Sequence, residues 1–178
     1  MNDRSPDGVR YRIARPADRL GVSRVLDGAL LDVEELPARI DAGHVLVAVA
    51  DGRICGAVVV APDGPPSHRS AQRPDERDSD VTYSDVQHTD VRHSEAGAST
   101  RERDYVPREW QSTAHVRAIA VRRRRRGRGI GSALVSAATE EFGPLVADFD
   151  DAIRPFYESL DATLLERDGE RWWARVPP

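Results

Sequence analysis

The apolar stretch Ala118-Ile119-Ala120-Val121 leads through an arginine run into Arg126-Gly127-Arg128-Gly129-Ile130-Gly131-Ser132 and then into Ala133-Leu134-Val135. The first part has the composition of a buried strand, and the last part begins a helix rich in small residues. The glycines let a ligand approach the main chain closely, and the first turn of a helix has N–H groups without partners in the helix. The stretch therefore predicts a strand, a turn and a helix whose amides bind a pyrophosphate.

The spacing of this turn separates it from two other phosphate-binding motifs. No Gly-Lys-Ser/Thr follows it, so it is not a P-loop, and residue 134 is leucine where a dinucleotide-binding motif has its third glycine. Arg126, Gly129 and Gly131 instead fit the pattern Arg/Gln-x-x-Gly-x-Gly/Ala. This pattern resembles the acyl-CoA-binding motif of the GNAT family of N-acetyltransferases. The alternative is an arginine-rich loop between an ordinary strand and helix.

The resemblance implies a fold, a cosubstrate and the residues that hold it. The implied fold is α/β, a single domain with a mixed central sheet flanked by helices, in which strands four and five diverge beneath the turn. The implied cosubstrate is acetyl-CoA, with its pantetheine arm bonded along strand four and its pyrophosphate held by the turn. The residues implied to contact it are Ile119, Ala120, Val121, Arg126, Gly127, Arg128, Gly129, Ile130, Gly131 and Ser132.

The bulk composition agrees with a small enzyme. The chain has 178 residues, enough for one hydrophobic core, so we expect residues 1–178 to form a single domain. Cys55 is the only cysteine, so an intrachain disulfide is excluded, and the absence of lysine excludes a lysine nucleophile. The sequence shows no signal-peptide pattern and no apolar run of about 18 residues, so a cytoplasmic protein is expected.

Hydrophobic periodicity predicts the remaining elements. In the N-terminal half these are a strand over 9–15, helices over 18–31 and 33–42, and a hairpin of strands 44–50 and 53–60 around Asp51-Gly52. In the C-terminal half they are a strand over 113–121, a helix from the turn to 141 or 142, a strand over 145–149, a helix over 153–160, and a hairpin of strands 163–166 and 171–176. This order is the one that the GNAT resemblance implies.

Residues 62–112 differ in composition from the rest of the chain, with many prolines, serines, aspartates and arginines. Such a segment buries too little surface to offset its ordering entropy, so we predict a mobile, low-complexity insertion between the third and fourth strands. Three five-residue repeats occupy 79–93. Mobile ligands bind metals weakly, so no metal site is predicted on the repeat side chains Asp85, His88, Asp90 and His93.

Tyr157 is the candidate general acid. The stretch Pro155-Phe156-Tyr157 resembles the GNAT helix whose tyrosine points at the sulfur of CoA. A phenol with a pKa of about 10 is protonated at neutral pH and can hydrogen-bond a departing thiolate. The alternative is a tyrosine that only packs beside Phe156. The sequence departs from the family pattern at Asp161-Ala162, which replaces Gly-Phe, and at Asp150, where relatives often have a CoA-contacting asparagine.

His115 is the candidate general base. It lies eleven residues before Arg126, where some GNAT enzymes have a glutamate on strand four. An imidazole can relay a proton near neutral pH, and strand alternation places His115 on the same face as Arg117, Ile119 and Val121. The alternatives are a polar residue at the margin of the strand, a chain of water molecules, and Glu109 as the base.

Together these features predict an acyltransferase that moves an acetyl group from acetyl-CoA to a primary amine by direct attack. The partner is a small-molecule or peptide amine, bound between the early helices and the last hairpin, and the family resemblance makes a homodimer one arrangement. Two alternatives stay open: a non-catalytic acyl-CoA-binding module, and a nucleic-acid binder that uses the arginines at 122–126 and 128. A net charge of −4 disfavours the nucleic-acid binder. The sequence does not specify the acceptor or the acyl chain.

Overall fold

The computed structural model describes residues 8–64, 106–167 and 169–178. Its strands are β1 Arg10–Ile13, β2 Val45–Ala50, β3 Arg53–Ala61, β4 Ala114–Val121, β5 Leu145–Asp150, β6 Thr163–Glu166 and β7 Arg171–Val176. They form one sheet in the order β1-β2-β3-β4-β5-β7-β6. Neighbouring strands are antiparallel except β4 and β5, which are parallel. The predicted mixed central sheet is therefore confirmed.

Helices cover both faces of the sheet. Within the described residues they are α1 Arg19–Asp27, α2 Leu36–Asp41, α3 Ile130–Phe142 and α4 Arg154–Glu158. Helices α1 and α2 bury residues such as Val22 and Ile40 against one face, and α3 and α4 bury Leu134 and Tyr157 against the other. None of these four helices is long and apolar enough to cross a bilayer.

The first two helices are shorter than periodicity predicted, as is α4, which was predicted over 153–160. Helix α1 ends at Asp27, directly before Gly28, although apolar residues continue to Leu31. Helix α2 begins only at Leu36 because Pro37 occupies its first turn, where a residue without an N–H group is tolerated. Apolar spacing thus identified both helices. Their ends depend on local features, such as the left-handed Leu30 with φ of 57° after α1 and Pro37 in the first turn of α2.

The hairpin of β2 and β3 forms the centre of the core. Its two-residue turn has φ of 52° at Asp51 and 71° at Gly52, so both residues are left-handed as the Asp-Gly signal predicted. Every residue of β2 is buried, because helices cover both faces of this part of the sheet. Gly56 on β3 lies at a tightly packed point of the core: a Cβ there would approach Leu134 Cδ1 to 2.9 Å and the Ala120 carbonyl oxygen to 3.3 Å.

Replacing Gly56 with valine is expected to lower the free energy of unfolding by about 2 kcal/mol, because the added methyl groups overpack this point of the core. Urea denaturation monitored by circular dichroism measures the change. Arg53→Val at the exposed start of the same strand is the matched control, and it should change the free energy of unfolding by less than about 0.5 kcal/mol. Equal stability of the Gly56→Val variant and the wild type would contradict this packing.

The last residues of the predicted insertion belong to the packed fold. Val106 and Trp110 are 8% and 6% exposed, and they form a small cluster with Val146 and Trp173. Gly64 lies close to Gln111, since a Cβ at Gly64 would come within 2.0 Å of the Gln111 carbonyl oxygen. The two described ends of the segment therefore meet, and residues 106–112 correct the predicted boundary. The repeats over 79–93 and the four metal-ligand candidates in them lie outside the described residues.

Candidate active site

Strands β4 and β5 separate to form a gap. They pair only at Ala114 with Leu145 and at His115 with Val146, although β4 continues to Val121 and β5 to Asp150. From residue 116 onward, the edge of β4 that faces β5 therefore has no strand partner in the described part of the chain. The divergence implied by the family resemblance is present, and it exposes main-chain donors and acceptors to a ligand.

A cavity of about 700 Å³ extends from this gap to the glycine turn, and we call it the active-site cavity. All the residues predicted to contact the cosubstrate line it except Arg128. Tyr157 also lines it, whereas His115 does not. Ala29 and Leu31, which follow α1, and Arg171 of β7 also line the cavity. That the acceptor binds between the early helices and the last hairpin stays a prediction. The structure thus brings one turn, one strand edge and one tyrosine together.

The glycine turn presents main-chain amides to the cavity. Gly127 and Gly129 have φ of 71° and 73°, and α3 starts directly afterwards at Ile130. The N-cap residue Gly129 has no side chain to cap this 13-residue helix, and the first internal hydrogen bond of the helix is donated by Ala133 N–H to the Gly129 carbonyl oxygen, 2.9 Å away. The preceding amides of the first turn are left for a ligand, and the helix dipole favours an anion there.

Gly131 is required for close packing between two helices. A Cβ at this position would approach the ring of Phe156 to 3.2 Å, so the glycine allows α3 and α4 to pack closely. Phe156 contacts Tyr157 edge-on, with ring centroids 5.1 Å apart. The glycine turn and the candidate acid are therefore joined by direct packing.

Two arginines of the run support the turn. The Nε–H of Arg126 donates to the Val121 carbonyl oxygen at 3.0 Å, which links the end of β4 to the turn. Arg125 forms an ion pair with Asp51 at 2.8 Å, which ties the turn to the β2–β3 hairpin. These contacts give part of the arginine run a role in the fold, and they weaken the case for a nucleic-acid surface.

Tyr157 is buried, with 2% of its surface exposed, and its ring stacks on Phe149 at a centroid distance of 4.3 Å. Burial raises the pKa of its hydroxyl above the ordinary value, and the charge of Asp148 adds to the effect. The hydroxyl therefore carries its proton at neutral pH, as a hydrogen-bond donor must. Asp161 has φ of 53°, so it adopts the left-handed conformation that glycine adopts most readily, at the position where the family's sequence pattern has glycine.

A β-bulge interrupts β4 at Arg117. The pairing of β3 with β4 shifts between Val59, which is opposite Ala118, and Val60, which is opposite Val116. Arg117 is left without a partner residue on β3. Such a bulge inserts one residue into the strand and re-aims the side chains next to it.

The bulge corrects the predicted orientation of His115. Val116, Ile119 and Val121 contact the same core cluster, on the side of α3. His115 therefore lies on the opposite face from Ile119 and Val121, because the extra residue reverses the alternation between them. The prediction that these residues share a face was wrong.

His115 forms a buried pair with Asp148. Its Nε2 lies 3.1 Å from Asp148 Oδ1, and the residue is 2% exposed. The pKa of Asp148 is lowered to about 2, mainly by the hydrogen bond from His115. Burial acts in the opposite direction and raises this pKa, whereas the hydrogen bond from Arg171 lowers it further. An ionised carboxylate only accepts, so Nε2 carries the hydrogen. Nδ1 then has no hydrogen-bond partner in the described part of the chain.

Asp148, unlike His115, lines the active-site cavity, and sequence reasoning missed it. The available signal was the charged side chain of Asp148 between apolar residues, two positions before the end of the strand Leu145–Asp150. Asp150 also lines the cavity, and its Oδ1 accepts a hydrogen bond from Arg171 at 3.0 Å, which offsets its charge near a polyanionic ligand. Glu109, the other base considered, is exposed and does not line the cavity.

A diverging strand pair beside an amide-lined turn defines a site for a coenzyme A thioester. The profile of the acetyltransferase (GNAT) family matches residues 23–162. The chain therefore belongs to this family, and it is an N-acetyltransferase that uses acetyl-CoA as cosubstrate. No curated protein sequence shows a significant match to it.

Solved structures of the family share the fold. A GNAT-family acetyltransferase from Bacillus cereus has a TM-score of 0.59 at 10% identity, covering 95% of this chain and 96% of that one. PaiA N-acetyltransferase from Thermoplasma acidophilum, in complex with coenzyme A, has 0.57 at 11%, covering 96% and 99%. Diaminobutyrate acetyltransferase EctA from Paenibacillus lautus, in complex with L-2,4-diaminobutyric acid and coenzyme A, has 0.55 at 13%, covering 97% and 96%.

Proposed function

We propose that this enzyme transfers the acetyl group of acetyl-CoA directly to a primary amine in the gap between β4 and β5. One observation carries the proposal: the amide-lined turn, the unpaired edge of β4 and Tyr157 all line a single cavity. The relative crystallised with L-2,4-diaminobutyric acid supports a small amine as the acceptor.

The cosubstrate would lie along the strand that leads into the turn. Its pyrophosphate would bind the amides of residues 126–132. Its pantetheine arm would bond to the main chain of Ile119 to Val121, where the edge of β4 that faces β5 has no strand partner among the described residues. The thioester would then lie deeper in the gap, beside Phe149 and Tyr157. Rate enhancement would come from holding the amine and the thioester together and from main-chain donors that polarise the carbonyl.

In the reaction, the nitrogen of a neutral amine attacks the thioester carbon, so a C–N bond forms and the C–S bond breaks. The Tyr157 hydroxyl donates a hydrogen bond, and then its proton, to the departing sulfur. The nitrogen loses one proton to water, and water returns one proton to the Tyr157 oxygen, so the products are an amide and CoA and the enzyme is restored. His115 does not touch this cavity, so we assign it a positioning role: it holds Asp148, which forms part of the cavity wall.

Replacing Tyr157 with phenylalanine is expected to lower kcat by about 10- to 100-fold, with the Kd for acetyl-CoA unchanged. This loss of kcat is small for the removal of a general acid, because the thiolate of a thiol with a pKa of about 8.5 is already a good leaving group. Steady-state thiol release measures kcat, and calorimetry measures the Kd. Tyr11→Phe, in β1 and away from the cavity, is the matched control.

A non-catalytic acyl-CoA-binding module is the second candidate. It is favoured by one observation: the carboxylates that line the cavity, Asp148 and Asp150, are both paired with Arg171 in the described residues, so neither is an obvious base. A thiol-release screen over small amines, amino acids, polyamines and peptide N-termini separates the two. Tight acetyl-CoA binding without turnover on any amine would establish the module and refute the enzyme mechanism.

A further inference from the structure

The guanidinium group of Arg117 lies at the active-site cavity and forms no ion pair with an acidic side chain among the described residues. Arg117 lines the cavity, and its side chain is exposed. Because the bulge in β4 leaves it without a partner residue on β3, its side chain does not follow the regular alternation between the two faces of the strand. It forms no hydrogen bond or ion pair with any residue that the structure describes. A planar cation in such a position is suited to bind a carboxylate with two parallel hydrogen bonds.

Arg117 differs in this respect from the other charged side chains of the cavity. Each of those is already engaged by the protein, in an ion pair or in a hydrogen bond to a main-chain carbonyl. They are Arg125, Arg126, Asp148, Asp150 and Arg171. The cavity therefore offers one cation for a ligand group that is not yet assigned.

The position of Arg117 along β4 separates it from the phosphates of CoA. Val121, the last residue of the strand, is four positions further along, which corresponds to about 13 Å at roughly 3.3 Å per residue. The pyrophosphate turn begins only beyond that end. Arg117 therefore lies at the thioester end of the cavity, where the acceptor would bind.

We propose that Arg117 binds a carboxylate of the acceptor, and that the acceptors are amines that carry a carboxylate, such as amino acids with a second amino group. This inference rests on the acetyl transfer proposed above and names its substrate class. The carboxylate held by Arg117 would fix the molecule so that its amine reaches the thioester.

The test compares amines that differ only by the carboxylate: L-2,4-diaminobutyrate with 1,3-diaminopropane, and L-ornithine with 1,4-diaminobutane. We expect the wild-type kcat/KM to be at least about 10-fold higher for the amino acid of each pair. Arg117→Gln should lower kcat/KM for the amino acids by about 10- to 100-fold and leave the diamines and the Kd for acetyl-CoA unchanged. Arg10→Gln, an exposed arginine on β1, is the matched control.

The outcomes are distinguishable. Wild-type preference for the diamines, or an unchanged ratio in Arg117→Gln, would overturn the role of Arg117 while leaving acetyl transfer intact. If none of the four amines is acetylated while other amines of the thiol-release screen are, the substrate class is overturned and acetyl transfer stands. Binding of acetyl-CoA without turnover on any amine of the screen would overturn both proposals in favour of the non-catalytic module. A further variant, Arg117→Glu, should invert the preference within each pair, because it repels the carboxylate and attracts the ammonium group of the diamine.

Discussion

Replacing Gly129 with valine is expected to weaken acetyl-CoA binding on the order of 1000-fold. A Cβ at Gly129 would meet no protein atom within 4 Å, and the residue lines the active-site cavity, so the new side chain would fill the space assigned to the pyrophosphate. Losing two charge-assisted hydrogen bonds of roughly 2 kcal/mol each amounts to about 4 kcal/mol, which is about three orders of magnitude in Kd. Isothermal titration calorimetry with acetyl-CoA measures the change.

The variant also forces a branched residue into a left-handed conformation, at a cost of roughly 1–2 kcal/mol in stability. Gly43→Val controls for this strain, because Gly43 has φ of 78° at the end of α2 and does not line the cavity. Both variants should lose similar stability, and only Gly129→Val should lose affinity. A Gly129→Val protein that is folded and binds acetyl-CoA within a few-fold of the wild type would refute the proposed pyrophosphate site.

The elements that the sequence predicted well are those set by local chemistry. Asp51-Gly52 determines its turn because few other residues adopt positive φ at two successive positions. The glycines and the small residues of 127–138 likewise determine a turn and the closely packed α3. Nine of the ten residues that the family resemblance implies for the cosubstrate line one cavity, and their contact with acetyl-CoA stays a prediction.

The features that the sequence did not reveal depend on pairing between distant strands. The bulge at Arg117 comes from the register of β4 against β3, and alternation cannot be extended through it, so the face of His115 was mispredicted. The contact between His115 and Asp148 likewise needs the parallel pairing of β4 and β5, which α3 connects. Neither residue carries a local pattern that indicates the other.

The sequence also did not reveal where the insertion ends. Composition placed 106–112 with the polar segment before it, because Val106 and Trp110 are isolated apolar residues with no periodic neighbours. They are buried because Val146 and Trp173, far along the chain, present an apolar surface on β5 and β7. Isolated large apolar residues at the edge of a polar segment are therefore a useful indication that folded structure resumes.

Replacing Asp148 with alanine is expected to lower the free energy of unfolding by about 3 kcal/mol. Asp148 accepts from His115 and from Arg171, and its side chain is only 25% exposed. Its removal leaves the buried Nε2–H of His115 without its acceptor and takes one of two carboxylates from Arg171. Asp150→Asn is the matched control: Asp150 pairs with the same arginine but is 72% exposed, and its loss should cost less than about 1 kcal/mol. Urea denaturation at neutral pH measures both, and equal losses would contradict a special role for Asp148.

The pH dependence of the same carboxylate gives a sharper test. The pKa of Asp148 is lowered from 3.8 to about 2 in the folded protein, so its charged form adds stability above about pH 4, and this stability is lost as the pH falls toward 2. The difference between the two pKa values corresponds to about 2 kcal/mol. The advantage of wild type over Asp148→Asn should therefore shrink by about 2 kcal/mol between about pH 5 and pH 2. A constant difference over this range would show that the contacts of Asp148 with His115 and Arg171 do not stabilise its charge.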